Sequence, residues 1–266
     1  FQLGPRINAA GRMDSAHRIL DLFFTRDEAE AKAIAQSLDE FNRERQQTEE
    51  AIRESIFTSL DADPARQNEV GLVLYSEDWH LGVAGIVAGR IAEKHRKPTF
   101  VLSRPDKANG DSIKGSGRSI PGFHLLDALE SMADLFTSHG GHEQAAGVSL
   151  PLANLDAFRA RFAAYSAERL TDELRRPVLR IEEVLRLSDV NAALFAAVNT
   201  MAPFGHSNEP PLFALLDVEV AAPPFLMKEK HVRLTVRQDG QKLSAKGWYP
   251  VSYTHLRAHE TKANLV

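Results

Sequence analysis

The sequence predicts an α/β fold in two globular parts, the first fed by a long helix and the second rich in β-strand. Three observations carry that expectation. The stretch from Thr25 to Leu60 contains neither glycine nor proline. Two short apolar runs, Val70–Tyr75 and Pro98–Leu102, flank a helical pattern. After Arg175-Arg176-Pro177, short strand-like runs recur, and Asp239-Gly240 supplies a hairpin turn between two of them.

Residues 1–24 read as a loop-rich piece, punctuated by Gly4-Pro5 and Gly11 and closing on the apolar Ile19–Phe24. Thr25 and Glu28 have the spacing of a capping box ahead of the long helix. At 1.5 Å per residue that helix reaches roughly 50 Å, the length of an element that bridges domains. Its apolar stripe runs through Ile34, Leu38, Phe41, Ile52 and Ile56 but passes through Arg45 and Thr48, so the middle of the inward face is polar. Asp61–Asn68, with Pro64, is a linker.

The strand–helix–strand unit over 70–102 predicts two parallel strands with a right-handed crossover. Its helix, Val83–His95, has a small face of Ala84, Gly85, Ala88 and Gly89, suited to close packing on a sheet. Further along come a glycine-interrupted strand over 112–120, a helix over 125–136, a strand over 144–150 and an amphipathic helix over 155–170. From Val178 the pattern is strand (178–187), helix (190–201), strand (212–220) and a hairpin pairing 231–236 with 242–249. Short strands with one inserted helix suggest a small OB-like barrel.

Residues 251–266 continue neither pattern. They resemble a translated sequencing-adapter read-through and are expected to be non-native. His255 and His259 stand at a spacing that suits a metal on a helix, but they fall in this tail. The chain opens on Phe1, and Phe1–Pro5 reads like the middle of a domain.

With 266 residues, 43% of them hydrophobic and 26% charged, the composition is that of a globular protein with a sizeable core. There are no cysteines, which excludes disulfides and thiolate metal sites and fits a cytoplasmic location. A net charge of −4 argues against wholesale coating of nucleic acid, so any such contact must use a local basic patch. No apolar run is long enough to span a bilayer as a helix, so no membrane partner is expected.

Two segments carry the chemistry. One is Gly140-Gly141-His142-Glu143-Gln144-Ala145-Ala146-Gly147 and the other is Lys114-Gly115-Ser116-Gly117-Arg118-Ser119. Paired glycines let backbone amides turn toward an anion. Arg118 offers a permanently charged fork that matches phosphate, and His142 a donor or a proton near neutral pH. Together they describe a phosphate pocket, with Gly140, Gly141 and Ser119 beside the two side chains. Arg6, Asn8 and Arg12 either touch substrate or anchor a loop. Arg45 either faces a cleft or sits on a solvated stretch of helix. His80 either caps the following helix or lines the cleft, and Trp79 reads as core. In the β-rich part, Lys228, Lys230, His231 and Arg233 near Phe225 form either a single-strand-binding groove or a solvated hairpin face.

The chain resembles the DHH/DHHA1 phosphoesterases, in particular their single-strand-specific exonucleases. The matching strings are Gly4–Arg12, Trp79–Ala88, Lys114–Ile120, Gly140-Gly141-His142 with Ala145-Ala146-Gly147, and Pro203-Phe204-Gly205 with Glu209–Phe213. They fall in the family's order over residues 1 to about 249. The resemblance implies the end of a DHH domain over 1–24, a connecting helix over 25–63, a DHHA1-type substrate-gripping domain over 64–175 and an OB-like single-strand-binding domain over 176–250, ahead of the tail. It also implies hydrolysis of single-stranded DNA from the 5′ end, in repair and recombination, with Mn²⁺ or Mg²⁺. The metal ligands of such enzymes include an Asp-His-His string, which this sequence lacks. The metal ligands are therefore expected outside this chain, which would supply the grip, with His142 meeting the scissile phosphate. Two other readings are a non-catalytic single-strand-binding module and a small-nucleotide phosphoesterase. The OB-like part favours a polymeric substrate over the latter.

Overall fold

The computed structural model describes residues 3–105, 110–176, 178–205, 207–227, 231–248 and the backbone of 263–265. The chain divides into two compact units, 1–177 and 178–266.

The first unit opens with two helices, α1 (Leu3–Met13) and α2 (His17–Phe24), where a loop-rich piece was expected. Pro5 is tolerated because it lies in the first turn of α1, where amides have no intrahelical partner. Next comes α3 (Glu28–Ala62), 35 residues long. Its cap is Asp27 rather than Thr25: the Asp27 carboxylate accepts from the Ala29 and Glu30 amides at 2.8 and 3.2 Å. Thr25 instead ends α2 and donates its hydroxyl to Glu30. Leu38 is buried where α3 lies against α1 and α2, while Ile52, Ile56 and Leu60 are buried with Leu72, Leu74 and the helix over 81–95. The polar middle of the stripe separates these two contacts.

After the short α4 (Pro64–Asn68) the sheet begins. Its strands are β1 (Leu72–Tyr75), β2 (Thr99–Ser103), β3 (Ser112–Arg118), β4 (Ser138–Gly141) and β5 (Ala145–Pro151), in the order β1-β2-β3-β5-β4. β1 and β2 are parallel and joined through α5 (Leu81–His95), as the apolar runs predicted. The remaining pairs are antiparallel. One face of this sheet packs on α6 (Leu125–Glu130) and α7 (Leu155–Arg169). The core there holds Phe100, Phe123, Phe158 and Phe162, with Phe100 edge-on to Phe158 and Phe162 at 5.3 and 5.2 Å. On the other face α5 covers β1 and β2 through Val83, Val87 and Ile91. It reaches β3 but leaves Gly147 of β5 and Gly140 of β4 exposed.

The Gly-Ser-Gly run before Arg118 is therefore a strand, not an anion loop. Ile113, Gly115 and Gly117 are its buried positions. A Cβ at Gly117 would lie 2.4 Å from the Phe100 ring, so this glycine makes room for a core aromatic.

The second unit contains β6 (Glu183–Leu185), α8 (Ala192–Thr200), β7 (Phe213–Met227), β8 (His231–Gln238), β9 (Gln241–Trp248) and β10 (Ala263–Leu265). The sheet order is β10-β7-β8-β9, with β6 parallel to the start of β7. Register shifts between Val220 and Phe225, around Pro223-Pro224, let the 15-residue β7 curl and serve β6 with its first half and β8 with its second. Its core is small: Leu187, Val218, Val232, Leu234 and Val236. The hairpin of β8 and β9 forms over 231–248 as the Asp239-Gly240 turn predicted, in full register from His231↔Trp248 to Gln238↔Gln241, and Tyr249 lies outside the described residues. The tail lies outside the described residues except for the backbone of β10, which pairs with β7.

Candidate phosphate-binding site

The site is built where α1, α5 and β3 meet. α5 starts at an N-cap in which the Gly82 amide donates to His80 Nδ1 at 3.1 Å. His80 is thus a cap, and its accepting Nδ1 leaves the proton on Nε2. The end of α1 docks against this first turn. A Cβ at Gly82 would stand 2.1 Å from the Arg12 carbonyl, and Arg12 Nη1 donates to the Gly82 carbonyl at 3.2 Å. Only a glycine permits that approach.

One turn on, Gly85 leaves space for Arg118. A Cβ there would lie 2.9 Å from Arg118 Nη2, and one at Gly89 would lie 3.7 Å from its Cγ. Arg118 therefore leaves the end of β3 and lies along the small face of α5, with Nη1 donating to its neighbour's carbonyl, Gly117 O, at 2.8 Å. The small face was expected to pack on the sheet; part of it serves instead to seat a guanidinium. Burial and then the charge of Arg12 push the Arg118 guanidinium below its ordinary value. Among the described residues neither Arg12 nor Arg118 has a carboxylate partner. Two guanidinium groups converge beside the positive end of a helix dipole, which is an arrangement for an anion.

His142 lies at the same end of the sheet. Arg118 pairs with Ala145 on β5, and the His142 amide donates to the Ala145 carbonyl at 2.9 Å. Two strand spacings separate the two backbones, about 10 Å. They stand side by side rather than across a cleft. The Gln144 amide donates to His142 Nδ1 at 3.2 Å, which fixes the turn and places the proton of the neutral ring on Nε2, an outward donor. Gly141, at φ 146°, starts this turn in a conformation that L side chains rarely adopt. Gly140 is an exposed strand residue. The Ser119 amide donates to Gln144 O at 3.0 Å and its hydroxyl to Phe123 O at 2.5 Å, so Ser119 ties the turns together. Beside the site, two residues along β3, a groove of about 440 Å³ is lined by Leu81, Lys114, Ser116, His139, Gly140 and Gly147.

Other candidates lie apart from this convergence. Arg6 pairs with Asp39 and holds α1 to α3. Arg45 is bound to Glu49 at 2.5 Å and to Asn42 at 3.3 Å, and Glu49 lies 3.7 Å from Arg90, so this network fastens α3 to α5. Asn8 is exposed on α1. Trp79 is half-buried against the α3–α5 core.

In the second unit, Arg233 lies over the Phe225 ring at 5.0 Å, and His231 meets Trp248 edge-on at 4.8 Å. Trp248 is 65% exposed and was missed in the sequence. The signal was present in β9, where Ser244, Lys246 and Trp248 alternate outward. Lys228, Lys230, His255 and His259 lie outside the described residues. Among the described residues no three His, Asp or Glu side chains come together in a way that could hold a metal ion. No described helix is long and apolar enough to cross a membrane.

The chain is similar to known proteins over most of its length. The DHHA1 domain model matches residues 68–168 and the RecJ OB domain model matches 181–266. The single-stranded-DNA-specific exonuclease RecJ of Bacillus subtilis is 32% identical over 254 residues, covering 93% of this chain and 31% of that protein. RecJ of Thermus thermophilus is 36% identical over 215 residues, covering 81% and 30%. The crystal structure of RecJ from Thermus thermophilus in complex with Mg²⁺ superposes with a TM-score of 0.78 at 32% identity, over 95% of this chain and 38% of that one. A crystal structure of exonuclease RecJ bound to manganese gives a TM-score of 0.57 at 37% identity, over 67% and 43%. The chain spans about a third of the length of the curated relatives it matches.

Proposed function

We propose, for a chain that belongs to the RecJ family and carries its DHHA1 and OB domains, that it is the strand-gripping part of an exonuclease acting on single-stranded DNA from the 5′ end, in repair and recombination. The observation that carries this reading is the convergence of Arg12 and Arg118 on the first turns of α5 without a carboxylate between them.

Two guanidinium groups neutralise and orient one phosphate, and the amide end of α5 adds to the attraction. His142 presents Nε2–H from the neighbouring turn. It contributes a neutral donor, suited to a phosphate oxygen whose charge grows in the transition state. The glycine-floored groove beside the arginines gives the strand a path past the site. In the OB unit, Phe225 with Arg233, and Trp248 with His231, provide stacking and charge for unpaired bases. The relatives' structures contain Mg²⁺ or Mn²⁺. Among the described residues no three His, Asp or Glu side chains gather to hold such an ion, and the roles proposed for this chain are in binding and orienting the strand.

His142 separates gripping from chemistry. In a full-length protein containing this chain, His142→Ala should lower turnover on a single-stranded oligonucleotide far more than it lowers affinity, because a neutral imidazole neutralises no phosphate. Wild-type turnover in that variant would remove His142 from the reaction. Equal binding of the wild-type chain to single-stranded and duplex DNA would remove the single-strand reading.

A further inference from the structure

A second cationic cluster lies at the other end of α5, about 15–20 Å from the first along the helix axis and unused by the function above. Lys94-His95-Arg96-Lys97 closes that helix, and Arg175-Arg176 arrives from the segment after α7. His95, Arg96, Asp172, Arg175 and Arg176 line a pocket of about 400 Å³. Two side-chain nitrogens there, His95 Nε2 and Arg175 Nε, are buried without a hydrogen-bond partner among the described residues. The one carboxylate in the lining, Asp172, stands 3.7 Å from Arg175 Nη1 with its side chain 92% exposed. Asp61 acts on His95, and Glu69 on Lys97. Lys97 is buried behind the pocket and donates to the Gln67 carbonyl. Burial and the charge of Arg175 both push its ammonium below the ordinary lysine value. The helix dipole accounts for Lys94 and His95 in the last turn of α5. It does not account for Arg175 and Arg176, which belong to another segment.

We propose that this pocket binds a phosphate group. The guanidinium groups of Arg96, Arg175 and Arg176 would hold it, with the His95 ring beside them in the lining. Phosphate suits the pocket because it offers several acceptor oxygens and enough charge to meet more than one guanidinium. The phosphate is that of a nucleic-acid strand or of a free phosphate monoester. Only the strand as a source rests on the function proposed above.

The test uses the whole chain. Inorganic phosphate is titrated by calorimetry into wild type, Arg175→Gln/Arg176→Gln, Arg176→Gln alone and Arg118→Ala. The pocket is expected to hold phosphate in the wild type and in Arg118→Ala, to lose affinity at least tenfold in the double variant, and to lose some of it in Arg176→Gln. Arg176 is exposed, so its single substitution reports even where the double variant fails to fold. Absence of phosphate binding by the wild type would overturn the proposal, as would wild-type affinity in Arg176→Gln, or loss of binding only in Arg118→Ala. The salt dependence of single-strand binding identifies the source. Removing one strand phosphate from the pocket lowers the slope by about 0.7, whereas an unchanged slope assigns the pocket to free phosphate. A chain that binds phosphate here but no single strand keeps the pocket and ends the strand-gripping function.

Discussion

A methyl group at position 85 would stand 2.9 Å from Arg118 Nη2, and the atom in its way is the far end of a flexible side chain. Gly85→Ala should therefore displace the guanidinium without disturbing the backbone. In a helix interior alanine is also preferred to glycine by about 1 kcal/mol. The expected outcome is an unchanged or higher melting temperature with several-fold weaker binding of a single-stranded oligonucleotide. Unweakened binding would show that the seat of Arg118 on α5 does not matter. Arg118 and His142 were singled out in the sequence because their residue types are chemically specific and stand beside glycines. The reasons for those glycines were not. Gly117 serves Phe100, and Gly82 and Gly85 serve arginines distant in sequence; such close approaches exist only once the elements pack. Arg6 and Arg45 illustrate the converse. Nothing in a one-dimensional pattern shows that Asp39 and Glu49 hold them.

Among the elements, the α5 crossover and the β8–β9 hairpin were readable because each satisfies a local rule, a small-faced helix between apolar runs and an Asp-Gly turn. α1 was hidden by Gly4, Pro5 and Gly11, which lie near its ends, and α2, which has neither residue type, was read only as the apolar close of a loop-rich piece. β4 was hidden because Ser138-His139-Gly140-Gly141 has no strand propensity of its own and exists through its ladder with β5. The tail is the least consistent element. We propose that 251–266 is foreign to the fold, since its pattern follows neither the strands before it nor a helix. β10 nonetheless pairs with β7, and the OB domain model runs to residue 266. Deleting 251–266 should shift the melting temperature by no more than a few degrees. A larger fall would show that β10 is a working edge of the sheet.

At the scale of the molecule, the two units present different chemistry. The first gathers guanidinium groups around α5, and the second exposes aromatic rings beside cations on β7, β8 and β9. Neither gathers metal-holding side chains among its described residues. The purified chain with Mn²⁺ should therefore release no nucleotides from single-stranded DNA; metal-dependent release that survives nuclease-free controls would contradict this. The central claim, that Arg118 holds a phosphate of a single strand, meets its most direct test in salt-titrated binding of a single-stranded oligonucleotide to the wild-type chain and to Arg118→Ala. Removing a charge-assisted hydrogen bond costs about 1.5–3 kcal/mol, or roughly ten- to a hundredfold in affinity. Neutralising one phosphate fewer lowers the slope of log affinity against log salt by about 0.7. Both changes together are the expected result. Unchanged affinity and an unchanged slope would show that Arg118 is a packing residue of β3 and α5, and would contradict the account.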